Sequence, residues 1–537
     1  LESLMRSNRA RGADRRRRGR GALRATVAGG GIAVLLAGAG CMVGPDYRRP
    51  PTTAPAAFKE PPPPNWKTAT PSDQLPRGKW WELFGDPQLN ALEEQVSVSN
   101  QSIAQAEAQF RAARAAAGVA RANLFPTVTA APSASRSRSN TGRTAAPVAP
   151  GAAGGGSGTG GSGTTGSSGS TGAPAAVAAT SGTVSIFEVP IDVSYEVDLW
   201  GRIRRQVEAS VATAQASAGD LETMRLSMQA ELAVDYFQLH GVDAERQLLV
   251  TTAGAYQKAL DLTTNRYNQG IASGVDVAQA QTQLETTRAQ AIDLDVQRTQ
   301  LEHAIAVLIG KPPAELTIAA APIGVKPPVV PVALPSELLE RRPDIAANER
   351  RMAAANAQVG VAVAAYYPTL SLSGAAGFES TALSSLFDWP SRFWSLGATA
   401  VQTLFNGGGL HAATEQAKAN YDAAVAAYRQ NVLTAFQDVE DNLSALRVLD
   451  AEATQEAVAV AAAERSLALS NFRYQGGITT YLEVITAQAA ALADERTAVD
   501  IQTRRMTAAV NLVKAVGGGW SDADLPSGAA ILFPGKR

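Results

Sequence analysis

Apolar and polar side chains alternate most regularly between Phe187 and Leu199. Every odd position of this run is apolar, and the even positions carry acids, serine and Pro190. A period of two over about 13 residues predicts a β-strand with one apolar and one acidic face. Because proline cannot donate a hydrogen bond to a neighbouring strand, we predict a β-bulge at Pro190.

Three weaker strand patterns accompany this one. The four predicted strands lie near 126–136, 184–199, 368–379 and 393–405. A strand that spans a membrane needs about 9–11 residues with one apolar and one polar side. Core strands of soluble sandwiches also alternate, but the acidic face and the small number of strands favour the membrane interpretation.

The remaining chain follows a helical period and contains helices of two lengths. Long helices are predicted at 201–265 and 409–473, each roughly 90–100 Å at 1.5 Å per residue. Helices of about half that length are predicted at 91–123 and 276–309 in the first copy, and short helices are predicted at 343–365 and 483–516 in the second. We predict that each long helix packs beside two shorter helices stacked end to end.

The helices at 276–309 and 483–516 carry heptad repeats, which predict coiled-coil packing. The first seam has Val277, Leu284, Ala291, Arg298 and Ile305 at one position and Ala280, Thr287, Leu294, Leu301 and Leu308 at the other. The second has Val484, Ala491, Ala498, Arg505 and Leu512. The two arginines share one seam position, and we predict that they snorkel at its rim, with a gating role as the alternative.

The chain contains this arrangement twice. At one constant spacing, Arg266, Asp276 and Gly310 recur as Arg473, Glu483 and Gly517. The first copy is longer by a Gly/Ser-rich tract, Gly151–Gly172, which predicts a flexible loop. Two strands per copy are too few to close a barrel, and a sheet in lipid has no open edges. Several identical chains must then share one barrel; three would supply twelve strands, although these patterns do not fix that number.

Charge is unevenly distributed. Lys and Arg number 48 against 49 Asp and Glu, but nine arginines and only two acids lie in residues 1–40. The remainder is acidic, which argues against nucleic-acid binding because phosphate contacts need clustered cations. The arginines precede an apolar stretch, Ile32–Ala39, and small residues before Cys41, which predicts a secretory signal. A single cysteine excludes an intramolecular disulfide.

These patterns divide the chain into segments. We predict a lipoprotein signal at 1–40, a Pro-rich tether at 41–79, a first repeat at 80–313 with a Gly/Ser loop at 137–182, a linker at 314–335, a second repeat at 336–520 and a tail at 521–537.

Six motifs occur in order along the chain: CMVGPDYRRP (Cys41–Pro50), WWELFGDPQLNAL (Trp80–Leu92), EVDLWGRIRR (Glu196–Arg205), RRPDI (Arg341–Ile345), RYQGGITTYLEV (Arg473–Val484) and GGGW (Gly517–Trp520). Together they resemble the outer-membrane factor family, the TolC-like export ducts, and in particular its lipidated efflux branch. The resemblance implies a mainly α-helical protomer with a membrane β-barrel part, built as a tandem helix–strand–strand–helix repeat. It implies a homotrimer with a shared 12-stranded outer-membrane barrel and a periplasmic tunnel of coiled-coil helices.

The resemblance also implies an anchor and partners. Cys41 becomes the acylated N-terminus in outer-membrane lipid, although Gly38 stands where the family usually has leucine. The partners are a periplasmic adaptor (membrane fusion) protein and an inner-membrane RND-type transporter. Because no nucleotide site is present in the sequence, the duct is expected to be passive, without a cofactor or metal and without enzymatic activity.

The family places a periplasmic aperture where each glycine turn meets the following helix. Matching positions are Asp276, Leu482, Glu483 and Thr486, while Tyr474 and Thr479 match positions that latch the closed state in some members. The residue pattern itself predicts capping boxes, Ser273 with Asp276 and Thr480 with Glu483. Both interpretations can hold, and an acidic ring would favour cations.

The glycine turns are predicted exposed tips, Tyr267–Gly270 and Tyr474–Gly477, with Gly476 and Gly477 in the second. We predict that the tips dock the adaptor. The leading hypothesis is an efflux channel for drugs or other small molecules. A type I protein-secretion duct is the alternative within the family, and a lipid-anchored coiled-coil scaffold or adhesin without a pore is the alternative from another class. The sequence does not identify the transported compounds.

Overall fold

The computed structural model describes residues 42–51, 55, 57–60, 78–138, 183–328 and 338–533. The predicted signal segment, Cys41, most of the tether, the Gly/Ser loop, part of the linker and the last residues lie outside these ranges. The chain divides into a helical unit and a sheet unit, and the sheet unit comprises residues 123–199 and 368–402.

The helical unit repeats one set of helix lengths. The first long helix (Arg202–Asn268) and the second long helix (Gly409–Gln475) each have 67 residues. The first return helix (Gly274–Leu308) and the second return helix (Tyr481–Ala515) each have 35. The helices before the strands, Gln101–Ala122 and Pro343–Ala364, each have 22. Shorter helices are Pro87–Ser99, Leu338–Arg341 and Gly528–Leu532. The duplication read from the sequence is confirmed.

The end-to-end stacking of short helices is confirmed. In each copy a different side chain bonds the end of one stacked helix to the start of the other. Asn100 accepts a hydrogen bond from the backbone N–H of Ile103 at 3.0 Å and donates to the carbonyl of Leu308 at 2.8 Å. It therefore caps the start of one helix and the end of the other. In the second copy Arg342, before Pro343, donates to the carbonyl of Ala515 at 3.1 Å.

Asn100 also corrects a predicted boundary. The single helix expected at 91–123 is two helices, because Asn100 has an extended backbone (φ −66°, ψ 124°) between Ser99 and Gln101. Its side chain satisfies the backbone groups that the interruption leaves unpaired.

The predicted heptad seams are buried against the long helices. In the first return helix, Ala280, Leu284, Ala291 and Leu294 are buried, and the first long helix packs on that helix. The second return helix packs against both long helices. The main core lies further along the unit, where Trp80, Phe84 and Phe237 meet the last turns of the second return helix. No helix in the described ranges is both long enough and apolar enough to cross a bilayer.

The prediction that Arg298 snorkels at the seam rim is wrong. Its guanidinium donates to Asp243 at 2.7 Å, to Glu302 at 3.2 Å and to the carbonyl of Ile318 at 2.6 Å. Asp243 is buried and also accepts from the backbone of Ala321 at 3.2 Å. Arg298 is therefore the centre of a network that fastens the segment after the first return helix, because buried charge must be paired.

The second copy keeps only the charge pair of this network. Arg505 binds Asp450, and the two residues occupy the positions that Arg298 and Asp243 hold in the first copy. This pair is more exposed than its counterpart. The shared seam position therefore links each return helix to its own long helix.

The sheet unit is an antiparallel meander with order β1–β3–β4–β5, and β2 also pairs with β3. The strands are β1 (Thr127–Ala130), β2 (Ser133–Arg138), β3 (Thr183–Val197), β4 (Thr369–Ser380) and β5 (Arg392–Val401). β1 and β2 lie one after the other along β3, so the sheet has four strand positions.

The β-bulge predicted at Pro190 is wrong. β3 pairs with β4 in one constant register through Pro190, which lies opposite Gly377. On its other side the register is also constant, but the ladder is interrupted between β1 and β2, at Ala131 and Pro132. Two prolines that lack N–H donors therefore break the ladder without inserting a residue.

The two faces of the sheet differ in their predominant chemical character. Residues directly opposite each other in an antiparallel pair point to the same face. The face with Val128, Ile191 and Val193 continues through Leu372 and Leu396 and is apolar over most of its length. The other face carries Ser, Thr and Gly together with carboxylates. The alternation predicted for Phe187–Leu199 thus extends to the facing residues of the neighbouring strands.

Residues from the predicted tether lie along the helical unit. Val43 bonds Trp200, and the buried side chain of Arg205 donates to the carbonyls of Val43 and Gly44, both at 3.3 Å. Further along, the backbone N–H groups of Lys59 and Glu60 reach the carboxylate of Glu440. The described part of this segment is therefore held by specific bonds.

Candidate functional site

Both helical hairpins end in the same glycine turn. Gly270 (φ 75°) and Gly477 (φ 72°) have left-handed backbones, which glycine adopts without a steric penalty. The N–H groups of Ile271 and Ile478 return to the carbonyls of Arg266 and Arg473 at 2.8 and 2.9 Å. These bonds form the Schellman arrangement that ends a helix.

The predicted capping box of the first hairpin is confirmed. The Ser273 hydroxyl accepts from the N–H of Asp276 at 3.2 Å, and the Asp276 carboxylate accepts from the N–H of Ser273 at 3.0 Å. The partner of this carboxylate is a neutral backbone group. Among the residues that the structure describes, the Asp276 carboxylate therefore has no ion-pair partner, and it lies at the start of the first return helix, where the helix dipole favours an acidic side chain.

The predicted capping box of the second hairpin is wrong. The Thr480 side chain makes no capping bond. The Glu483 carboxylate instead accepts from Thr479 and forms an ion pair with Arg473. Glutamate is longer than aspartate, so its carboxylate reaches past the cap to these two groups. The charge of Glu483 is thereby compensated within its own hairpin.

Arg266 joins the two hairpins, a role that sequence reasoning missed. It donates to the carbonyls of Tyr474 and Gln475 at 3.0 and 3.1 Å, and its guanidinium lies 4.7 Å from the centre of the Tyr474 ring. The equivalent Arg473 stays within its own hairpin. The only sequence signal was the repeated arginine before each glycine turn, which does not distinguish the two partners.

The latch candidate Tyr474 lies inside a small core between the hairpins. It packs against the Tyr481 ring at 5.2 Å, together with Ala280 and Val484, and its hydroxyl lies 3.4 Å from the Thr263 hydroxyl. Burial raises the pKa of Tyr481 to about 12, and the neighbouring Tyr474 contributes a smaller part of this shift. The Tyr481 phenol therefore remains neutral under physiological conditions and acts as a packing group, while the Tyr474 hydroxyl acts as a hydrogen-bonding group.

Other predicted residues are exposed at the tips. Leu482 and Tyr267 are 58% and 50% exposed, and Gly476 is exposed in its turn. The Thr486 hydroxyl is bonded to the carbonyl of Leu482 at 2.9 Å, so it does not interact with either acid. The predicted residues are thus divided among an exposed rim, a buried tyrosine core and two acids with different partners.

A groove of about 550 Å³ runs beside this core. It lies between the two long helices, over the second return helix, and is lined by Leu248, Tyr256, Leu262, Leu467, Gln488 and Leu492, among others. Most of its lining is apolar, with Lys258 and Glu495 as charged groups. Within the described residues, no group of three His, Cys, Asp or Glu side chains is arranged to hold a metal.

Comparison with known proteins identifies the family. A model described as outer membrane efflux protein matches residues 92–311 and 334–518. The pyoverdine export outer membrane protein OpmQ of Pseudomonas aeruginosa is 31% identical over 457 residues, covering 84% of this chain and 89% of the relative. Outer membrane protein OprJ of the same organism is 30% identical, covering 90% and 94%.

Solved structures agree with these sequence matches. The outer-membrane channel OprN superposes with a TM-score of 0.78 at 30% identity, covering 89% of this chain and all of that one. The open state of the Neisseria gonorrhoeae MtrE outer membrane channel superposes with a TM-score of 0.74 at 26% identity, covering 90% and 99%. The chain therefore belongs to the outer membrane efflux protein family.

Proposed function

We propose that three copies of this chain form one passive efflux channel in the outer membrane. Each copy contributes four strands to a closed 12-stranded barrel and four long or return helices to a periplasmic tunnel. The observation that carries the proposal is that both the sheet and the helical layer end in open edges.

The sheet supports the shared barrel. In the described residues, β1 and β2 have no partner on one side and β5 has none on the other. Its apolar face is uncovered, with Trp394 and Leu396 76% and 81% exposed. An apolar face with open edges is unstable in lipid unless neighbouring copies pair with both edges.

The helices support a ring. Within one chain the first return helix packs on the first long helix, which contacts the second return helix, which packs on the second long helix. The outer members carry exposed apolar residues, including Ile292 and Val296 on one and Leu433 and Phe472 on the other. Two unlike edges form head-to-tail contacts, which close into a ring when the rotation permits. The family resemblance implies that the ring has three members.

The hairpin tips are proposed as the periplasmic aperture. Three-fold symmetry would repeat Asp276, Leu482, Glu483 and Thr486 around one axis. Tyr474 and Thr479 would hold the closed state, the first through the interhairpin core and the second through Glu483. Arg266 belongs to the same latch because it binds one hairpin to the other.

The proposed partners follow from the same arrangement. The exposed tips at Tyr267, Gly270, Gly476 and Gly477 and the apolar groove beside them offer a docking surface for a periplasmic adaptor. An inner-membrane RND-type transporter would supply the energy. Acylation of Cys41 would anchor the chain in the outer membrane. The first described residues after it, Met42 and Val43, lie beside Gly201 and Trp200 at the start of the first long helix. The cargo would be drugs or other small molecules.

Single-channel recording in planar bilayers tests this function. Purified oligomers should conduct, and their mass should correspond to three chains. The Arg266→Gln variant should increase the conductance because it releases one hairpin from the other. Arg288→Gln is a matched control, since Arg288 pairs with Glu285 and Gln257 in the first hairpin alone. Oligomers that never conduct in any variant would favour a scaffold without a pore.

A further inference from the structure

The charged side chains of the strands are sorted by face. The carboxylates are Glu188, Asp192, Glu196 and Glu379, and all lie on the polar face. The cations are Arg136, Arg138 and Arg392, and the register places all three on the apolar face. Arg136 and Arg138 lie opposite Ser185 and Thr183, and Arg392 lies opposite Phe378.

The three arginines also share one end of the sheet. Arg138 is the last residue of β2, and Arg392 is the first residue of β5. This is the end where the strands turn, because β4 and β5 are joined there by residues 381–391. At the opposite end of the same face the strands carry Val128, Val197 and other uncharged residues. In the register, Arg138 lies at the level of Thr183 and Arg392 at the level of Val189, so all three cations lie in the half of the apolar face nearer these turns.

Aromatic rings hold one of these cations in place. The Arg392 guanidinium lies 3.8 Å from the centre of the Trp389 ring and 5.8 Å from that of Phe378. Phe387 packs against Phe378 at 5.4 Å. Such contacts orient a guanidinium while leaving its N–H groups available. The aromatic residues are those expected at the margin of a membrane.

None of the three arginines has a carboxylate partner among the described residues. The carboxylates of the sheet cannot form ion pairs with these arginines, since they point to the other face. A cation at the edge of an apolar face is favourable where it meets an anion of the lipid surface. The guanidinium fork binds phosphate oxygens in a bidentate manner.

We infer that Arg136, Arg138 and Arg392 form a binding collar for phosphorylated lipid headgroups of the outer leaflet. The inference rests on the proposed function, because only in a barrel does the apolar face meet lipid. In the shared barrel, β5 of one copy would adjoin β1 and β2 of the next, so the collar would complete itself at each junction between chains. The occupant is a lipid that presents phosphate at the outer surface, such as lipid A.

Lipid retention tests the collar. The full-length oligomer is reconstituted in phosphatidylcholine nanodiscs that contain either lipid A or lipid A stripped of its phosphates, and retained lipid is measured by native mass spectrometry. The wild type should retain the phosphorylated form preferentially. Arg136→Gln with Arg138→Gln and Arg392→Gln should weaken that retention by roughly fivefold for each arginine removed. Retention of the dephosphorylated form should not change.

Two control variants separate charge at the collar from charge elsewhere. Replacing the helical arginines Arg111, Arg429 and Arg465 by glutamine removes the same charge from exposed positions and should leave retention at the wild-type level. Replacing the three collar arginines by lysine keeps the charge but removes the guanidinium fork, so it should restore retention only in part. Any such rescue also excludes misfolding as the cause of the loss in the glutamine variant.

Equal retention of both lipid forms by the wild type would overturn the inference, as would full retention by the glutamine variant. Conductance measured on the same preparations distinguishes failure of the collar from failure of the proposed channel. Conducting oligomers without phosphate preference contradict the collar alone. Wild-type oligomers that neither insert nor conduct contradict the proposed channel itself.

Discussion

At the scale of residues, the two proposed aperture acids differ in what they bind. The Asp276 carboxylate accepts from the backbone of Ser273 and remains uncompensated. Both oxygens of Glu483 are engaged, one by Arg473 and the other by Thr479. Equivalent positions in a repeat therefore have different electrostatic roles, and the negative potential of the proposed ring comes from Asp276.

We predict that Asp276→Asn weakens the block of single channels by divalent cations. Loss of one accessible charge per chain should raise the blocking concentration at least about fivefold, which corresponds to about 1 kcal/mol. The paired variant Arg473→Gln with Glu483→Gln removes a neutral ion pair and should leave the block nearly unchanged. Equal effects of the two variants would show that the assignment of the ring charge to Asp276 is wrong.

We predict that Asp235, on the first long helix, makes the stability of the folded chain depend on pH. Burial raises the pKa of its carboxyl to about 6, and the negative charge of the neighbouring Glu231 contributes a smaller part of this shift. The neutral form is favoured in the folded state, so this group stabilises the fold below about pH 4 and the contribution is lost as the pH rises through about 6.

Asp235→Asn should therefore raise the thermal midpoint of the helical circular dichroism signal at pH 7.5. After allowance for screening by water, the gain should be about 1 kcal/mol, and it should vanish near pH 4. Asp293→Asn on the exposed surface of the first return helix is the control and should have little effect. A loss of stability at pH 7.5 would contradict the prediction.

At the scale of elements, the two repeats have helices of equal length, but different polar side chains link the stacked helices in each repeat. Asn100 caps two helices at once in the first copy, whereas Arg342 reaches the end of the second return helix in the second copy. The stacking is preserved because helix ends must satisfy their free backbone groups, and different polar side chains can do so. A strand pair likewise keeps its register around Pro190, since Gly377 leaves room for it.

We predict that Gly377→Ala impairs the sheet. An added Cβ would lie 2.3 Å from the carbonyl oxygen of Val189 and 2.8 Å from the Cα of Pro190, both backbone atoms that cannot move independently. Overpacking of this kind costs about 1–3 kcal/mol. The fraction of chain that resists urea extraction from outer membranes should fall.

Gly374→Ala is the matched control for this strand. The contact there is the end of the flexible Leu396 side chain at 3.1 Å, which can rotate away. Extraction of the two variants to the same extent would show that close approach to Pro190 is not limiting.

At the scale of the whole molecule, one chain has two incomplete layers. In the part of the chain that the structure describes, the sheet has unpaired strands at both edges, and the helical layer ends in two different helices that carry exposed apolar residues. In the proposed channel, identical neighbours would remove each deficit, and oligomerisation is therefore the basis of the proposal. The proposed membrane anchor belongs to the same scale because it would determine where such an assembly forms.

We predict that Cys41→Ser abolishes labelling by radioactive palmitate. Cys41 is the only cysteine, so no other thiol can take its place. Gly38→Leu supplies the leucine that is usual in lipoprotein signals and should increase the labelled fraction. Labelling that persists in Cys41→Ser would contradict the proposed anchor.

Much of the fold was predictable from the sequence because it depends on local periodicity. The alternation at Phe187–Leu199 predicted a two-faced strand, and the heptads predicted which side of each return helix is buried. The predictions from sequence were wrong where one side chain could bind any of several partners at similar distances. The sequence contains Thr480 and Glu483 at capping-box spacing, but the tertiary neighbour Arg473 decides the outcome.

The amino-acid sequence by itself determined the duplication, the lengths of the long and return helices and the two chemical faces of the sheet, because each depends on spacing along the chain. Only the tertiary structure decided that Arg266 joins the hairpins, that Arg298 fastens a neighbouring segment and that the strand arginines share one face. Those outcomes depend on which residues distant in the chain come within hydrogen-bonding distance, and periodicity carries no information about that.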